Sequence, residues 1–120
     1  MKEKKIFCPI TGTLNVIGGR WKVIILYNLL DKTVRFGELK RLIPGITQKM
    51  LTQQLRELEQ DGIIYRKVYP EVPPKVEYSL TEFGETLKPV MDVMCRWGSS
   101  HRKHIETVVK NQMNKEAKAA

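Results

Sequence analysis

Apolar residues recur at helical spacing along the first third of the chain. Phe7, Ile10, Leu14 and Ile17 are separated by three, four and three positions, which predicts one apolar helix face. Gly18-Gly19 predicts its end. Trp21 to Leu30 is apolar nearly all round, the pattern of a helix in the middle of a domain. Asp31-Lys32 reads as a break. Phe36, Leu39, Leu42 and Ile43 then mark a short helix that must stop near Pro44, because the residue before a proline is pushed out of the helical region. Gly45 permits a tight turn, Thr47 is a good N-cap, and the next helix is predicted over Gln48 to Asp61, with Gly62 at its C-terminus.

The period then changes from 3.6 to 2. Ile63 to Tyr69 is rich in β-branched and aromatic residues, and Lys75 to Leu80 alternates polar with apolar. Between them Pro70-Glu71-Val72-Pro73-Pro74 cannot continue a ladder. The expectation is a two-stranded hairpin with a proline-stiffened tip. Thr81, with Glu82 in the first turn, is predicted to cap one long helix. Phe83, Leu87, Val90, Met94 and Trp97 follow at four, three, four and three, a heptad seam, and Pro89 would kink this helix or mark a packing bend. The tail after about Val109 is polar and is expected to fray, as is the charged arm at residues 1–5. No repeat or second domain is visible. The expected organisation is a single domain over residues 1–120, with its core in 8–98. The fold class is mainly α with a small β-hairpin.

A short helix, a tight turn and a second helix form the helix-turn-helix unit, and a hairpin directly after it makes a winged helix. Placed on a wheel, Met50, Leu51, Leu55 and Leu58 point inward. The opposite arc carries Gln48, Lys49, Thr52, Gln53 and Arg56, with Thr47 at the cap. These side chains can donate hydrogen bonds to base edges and phosphates, and no carboxylate lies among them. Glu57, Glu59 and Asp61 come late, away from the half that would enter a groove. Such mixed faces are usually only solvated. Here the acid-free half, the turn before it and the wing after it coincide.

Charge agrees with that reading. The 120 residues hold 21 Lys and Arg against 13 Asp and Glu, a net charge of +8. A balance this basic calls for a polyanion such as DNA, RNA or an acidic membrane. Arg66, Lys67 and Lys75 flank the wing, and Arg35, Lys40 and Arg41 surround the short helix, so phosphate contacts are expected of several, Arg35 and Lys75 first. No apolar run is long enough to span a bilayer, and no signal-peptide h-region follows the basic N-terminus. The expected location is the cytoplasm, with no membrane partner. Cys8 and Cys95 are too few for a disulfide scaffold and lack zinc-site spacing. No phosphate loop, H-E-x-x-H or paired nucleophile and base is present. His101 and His104 have no third ligand in sight. The chain is therefore read as a non-enzyme with no catalytic residues, metal or cofactor. An RNA-binding module would need exposed stacking aromatics, and Tyr65, Tyr69 and Tyr78 fit core or wing roles better. A winged helix that binds protein and never DNA is the main alternative.

Two apolar stripes exceed what a small winged helix needs. One is Phe7, Ile10 and Leu14, and the other Leu87, Val90, Met94 and Trp97. They predict a homodimer whose two recognition helices would meet successive major grooves of a palindrome, about 34–36 Å apart.

At this point the sequence resembles the HxlR family of bacterial winged-helix transcriptional regulators, relatives of the MarR group. The matching stretches are Cys8-Pro9, Ile17-Gly18-Gly19-Arg20-Trp21, Arg35-Phe36-Gly37-Glu38-Leu39 and Pro44 through Leu51. They continue through Leu55-Arg56-Glu57-Leu58-Glu59, the hairpin from Tyr69 to Thr81, then Gly84 and Cys95-Arg96-Trp97-Gly98. The resemblance implies a homodimer held by the terminal helices and control of a nearby promoter, without fixing its sign. It also implies a sensing role for Cys8, since some members use a cysteine at this Cys-Pro position to detect electrophiles or oxidants. A thiol at a helix N-terminus, near Lys4 and Lys5, has a lowered pKa. Cys95 is expected to be a packed thiol. Whether the two cysteines can form a disulfide between subunits is left open by the sequence.

Overall fold

The structure is a computed structural model and describes residues 8–119. The arm at residues 1–5 and Phe7 lie outside the described residues. The first helix, α1, spans Pro9–Ile17. Pro9 occupies its first position, where a missing N–H costs nothing. Ile17 is buried while Ile10 and Leu14 are exposed. In α2, Lys22–Tyr27, Ile25 and Leu26 are buried, as is Leu29 just beyond it. Ile24 and Tyr27 are exposed, so this helix is covered on one side rather than all round as its composition predicted. Asp31 turns the chain with φ 58°, a left-handed conformation that Asp tolerates better than most residues.

A two-residue strand, β1 (Val34–Arg35), was not foreseen, because two residues carry no period. It leads into α3, Phe36–Leu42, which ends before Pro44 as expected. Gly45 has φ +88°, which a side chain would resist. Helix α4 spans Gln48–Gln60, and the Thr47 hydroxyl accepts from the Met50 amide at 3.0 Å, satisfying one orphan donor. Leu51, Leu55 and Leu58 are each at most 2% exposed. Removing side chains of this kind from water stabilises the fold by about 1.5–3 kcal/mol each. Met50 is only half-buried, less than the wheel predicted.

Strands β2 (Ile64–Tyr69) and β3 (Lys75–Leu80) form the hairpin. Val34 pairs with Tyr78, so the sheet has three antiparallel strands in the order β1-β3-β2 rather than two. Thr81 then ties the hairpin to the next helix. Its hydroxyl donates to the carbonyls of Gly62 and Ile63, at 2.7 and 3.1 Å, and accepts from the Gly84 amide at 3.0 Å.

The single long helix predicted after Thr81 is instead three: α5 (Glu82–Glu85), α6 (Lys88–Ser100) and α7 (Arg102–Ala119). Pro89 explains the first break. In a continuous helix its ring would clash with the Glu85 carbonyl and leave it unbonded, so the helix stops and restarts with Pro89 in its first turn. Phe83 therefore sits on a different helix from Val90, Met94 and Trp97, and the heptad seam is not one face. The tail expected to fray past Val109 continues as α7. The chain divides into two compact units, one reaching Lys88 and the other starting at Pro89. The first holds the winged-helix elements and the second most of α6 and all of α7. No helix among the described residues is long and apolar enough to cross a membrane.

Candidate nucleic-acid interface

Helix α4 presents the side chains that the sequence placed on its outer arc. Gln48, Lys49, Thr52, Gln53 and Arg56 are all exposed and together border one open concavity. They are not equally available. The Thr47 hydroxyl is engaged as the cap, and the Thr52 hydroxyl donates to the Gln48 carbonyl at 2.8 Å. The Gln53 amide donates to Glu57 at 3.3 Å. The side chains of Gln48, Lys49 and Arg56 have no hydrogen bond or ion pair among the described residues, so they keep every donor for a partner.

Of the late acids, Glu59 borders a cleft with Thr52 and Arg56, whereas Glu57 is engaged elsewhere. The Glu57 carboxylate is drawn away by the Lys22 ammonium of α2, at 2.8 Å. Its pKa is lowered first by that hydrogen bond and then by the Gln53 amide. Lys22 is thus a residue of the site that the sequence reading missed. No local pattern links it to Glu57, 35 positions later.

The wing cations divide between two faces. Side chains alternate along a strand, so Arg66 and Lys67 point oppositely. Arg66 pairs with Tyr78 and borders a cleft of about 460 Å³ with Phe36, Thr52, Arg56 and Glu59. Lys67 and Lys75 belong to the other face, as does Arg35, which pairs with Glu77 across β1 and β3. The sequence reading grouped Arg66, Lys67 and Lys75, although the period of 2 already separated Arg66 from Lys67. Nor is Lys75 uncommitted: its ammonium lies 3.3 Å from Glu77 and 4.6 Å from the Tyr69 ring centre. Tyr69 and Glu77 are the further residues missed here. Their contact needs the strand register, which sequence spacing across a five-residue loop does not set.

Cys8 is exposed and is the N-cap of α1. No capping bond of standard geometry closes on its sulfur. The Thr11 amide, then the Thr11 hydroxyl and the Ile10 amide, nevertheless favour the thiolate and pull the pKa below that of an ordinary thiol. Alkylation by iodoacetamide is expected to show its rate inflection below the about 8.5 of an unperturbed cysteine, read by mass spectrometry across a pH series. Thr11→Val should move the inflection up. An inflection at or above that of N-acetylcysteine would remove this activation. Cys95 is exposed on α6 rather than packed, because within one chain only Met91 of that helix is buried.

Of the two stripes, Ile10, Leu14, Val90, Met94 and Trp97 are exposed, and Leu87 is half-buried. Trp97 stacks on His101, with ring centres 4.9 Å apart. Among the described residues no three His, Cys, Asp or Glu side chains are placed to hold a metal ion.

A capped helix behind a tight glycine turn, followed by a hairpin that a short earlier strand joins, defines a winged helix-turn-helix protein. The HxlR-like helix-turn-helix family model matches residues 16–106, and the chain belongs to that family. It is 55% identical over 122 residues to the uncharacterized HTH-type transcriptional regulator YybR of Bacillus subtilis (strain 168), covering 97% of this chain and 98% of that protein. Among solved structures it resembles the redox regulator HypR in its reduced form, at 57% identity and a TM-score of 0.79, covering 83% of this chain and 99% of that one. It also resembles the reduced transcriptional regulator YodB of B. subtilis, at 43% identity and a TM-score of 0.67, over 77% of this chain and 91% of that one.

Proposed function

We propose that this chain is a sequence-selective, DNA-binding transcriptional regulator of the cytoplasm, without catalytic activity, cofactor or metal. The observation that carries the reading is the outer face of α4. Three side chains with uncommitted donors, Gln48, Lys49 and Arg56, stand there beside Thr47, Thr52 and Gln53, and the Glu57 carboxylate is held by Lys22. In a major groove such a face supplies Arg or Lys to guanine and Gln to adenine. Arg35, Arg66, Lys67 and Lys75 supply the surrounding phosphate contacts.

The whole chain works as one regulatory domain and acts as a homodimer on a palindromic operator. The exposed Ile10, Leu14, Val90, Met94 and Trp97 support this, because apolar surface of that extent on a small protein is ordinarily covered by a partner. By sequence spacing Phe7 belongs with the first of these stripes and Leu87 with the second. Cys8 senses an electrophile or oxidant. Its support is the lowered pKa and the likeness to HypR, which is described as a redox regulator.

Binding is tested with DNA from beside the protein's own gene against unrelated DNA of equal length. Selective binding is expected, with affinity falling on a log–log plot against salt at about 0.9 per phosphate contact. A thiol-reactive quinone should abolish binding by the wild type and spare Cys8→Ser. Binding indifferent to quinone removes the sensor and keeps the regulator. Absence of any DNA binding favours a winged helix that recognises protein.

A further inference from the structure

The outer face of the wing sheet carries an arrangement that the DNA reading does not require. Residues paired across antiparallel strands project to the same face, as do residues two apart on one strand. The register pairs Arg35 with Glu77, Lys67 with Glu77 and Tyr69 with Lys75. Five side chains therefore converge: three cations, one phenol and one carboxylate. Glu77 is on the central strand, flanked by a cation on each neighbouring strand. The Tyr69 hydroxyl donates to one of its oxygens at 2.8 Å, and the Lys75 ammonium lies 3.3 Å from the other. The ammonium groups of Lys75 and Lys67 lie 4.6 and 4.9 Å from the centre of the Tyr69 ring. Both oxygens of the carboxylate are thus engaged. Its pKa is lowered, by the Tyr69 hydrogen bond first and by Lys75 and Arg35 further, so it stays ionised at neutral pH. Beside it, a concavity of about 400 Å³ between the wing and the start of α3 is bordered by Arg35 and Lys75 on one hand and Glu71 on the other.

A carboxylate held this way does what a backbone phosphate would do. It is an anion with two oxygens presented to a hydroxyl, an ammonium and nearby cations. We propose that Glu77 is an internal counterion that occupies, in the DNA-free protein, the place of a DNA phosphate among Arg35, Lys67, Tyr69 and Lys75. The proposal rests on the DNA reading and adds a regulatory element to it. When DNA arrives, a phosphate takes over Lys75 and the Tyr69 hydroxyl, and Glu77 opposes that transfer. The effect is sequence-independent, since phosphates carry no base information. Glu77 therefore lowers affinity for all DNA, so that base contacts from α4 decide where the protein stays. A merely structural carboxylate would, on removal, leave the wing less ordered and binding weaker. A counterion predicts the opposite sign.

The test is Glu77→Gln, which keeps the shape and the acceptor for Tyr69 while removing the charge. Binding is measured by fluorescence anisotropy against operator and unrelated DNA over a salt series. Unrelated DNA should bind about threefold tighter, the scale of a partly exposed ion pair. The salt slope should steepen by about 0.9, one phosphate contact. In a Lys75→Gln background the gain should vanish, because the charge acts through that lysine. Glu77→Thr, which removes the same charge with a side chain that strands favour, should shift affinity in the same direction, and it carries the test if Glu77→Gln unfolds. Weaker binding, or unchanged affinity and slope in a folded variant beside a wild type that binds, overturns the counterion and leaves the DNA reading intact. A wild type that binds no DNA overturns both.

Discussion

Replacing Lys49 and Arg56 together with alanine is expected to lower affinity for the operator about 100-fold while leaving affinity for unrelated DNA within roughly 10-fold of the wild type. The argument rests on availability. Among the six proposed recognition residues, Thr47, Thr52 and Gln53 each have a hydrogen bond inside the chain, and a contact to DNA must share or displace it. Lys49 and Arg56 begin from no such bond. Each stands on a helix whose opposite side is fixed by three buried leucines, so the donors start close to their working positions. A good contact to a base edge contributes about 1–3 kcal/mol of discrimination, and two of them give the expected loss. Both side chains are exposed, so the melting temperature should be unchanged, which separates lost recognition from lost folding. An equal loss on operator and unrelated DNA would reassign the pair to phosphates. No loss at all would remove them from the site.

The largest stability effect is expected at Gly84, in α5. A Cβ built there would stand 2.2 Å from the Ile63 carbonyl oxygen and 3.3 Å from the Ile63 Cγ2. The obstacle is backbone, so no rotamer change relieves it. The same carbonyl accepts from the Thr81 amide at 3.0 Å and from the Thr81 hydroxyl at 3.1 Å. Moving it loosens the junction where α4 ends, the sheet begins and α5 docks. Gly84→Ala is expected to cost about 3 kcal/mol, at the upper end for overpacking, and to lower the melting temperature by roughly 10–15 °C. Gly37→Ala is the control. Its Cβ would meet only the flexible end of Arg41, at 3.7 Å, and helix propensity favours alanine. A Gly84→Ala melt within 2 °C of the wild type would show that α5 is free to shift away.

The recognition half of the protein was legible in its sequence because it is built from local chemistry. The start of α4 follows from Gly45 and Thr47, two residues whose backbone and hydroxyl roles are set within one turn. The burial of Leu51, Leu55 and Leu58, and with it the exposure of Gln48, Lys49 and Arg56, follows from a period of 3.6. The hairpin followed from a period of 2 and a run of prolines. Where local chemistry was read incompletely, the expectation failed: Pro89 already forbade one continuous helix from Thr81, and strand alternation already parted Arg66 from Lys67. The polar composition after Val109 has no bearing on helix propensity as such, since Lys, Gln, Glu and Ala are good helix formers, and α7 continues through it.

By itself, then, the sequence determined the helix-turn-helix, its donor face and the wing that follows, since each depends on residues within a few positions of one another. Only the tertiary structure decided the rest. It paired Val34 with Tyr78 to make a third strand, placed Lys22 on Glu57, and set Glu77 between Arg35 and Lys67 with Tyr69 and Lys75 on its oxygens. These contacts join positions that are distant in the chain. Their partners are chosen by strand register and helix packing, which the whole core fixes together and no local period records.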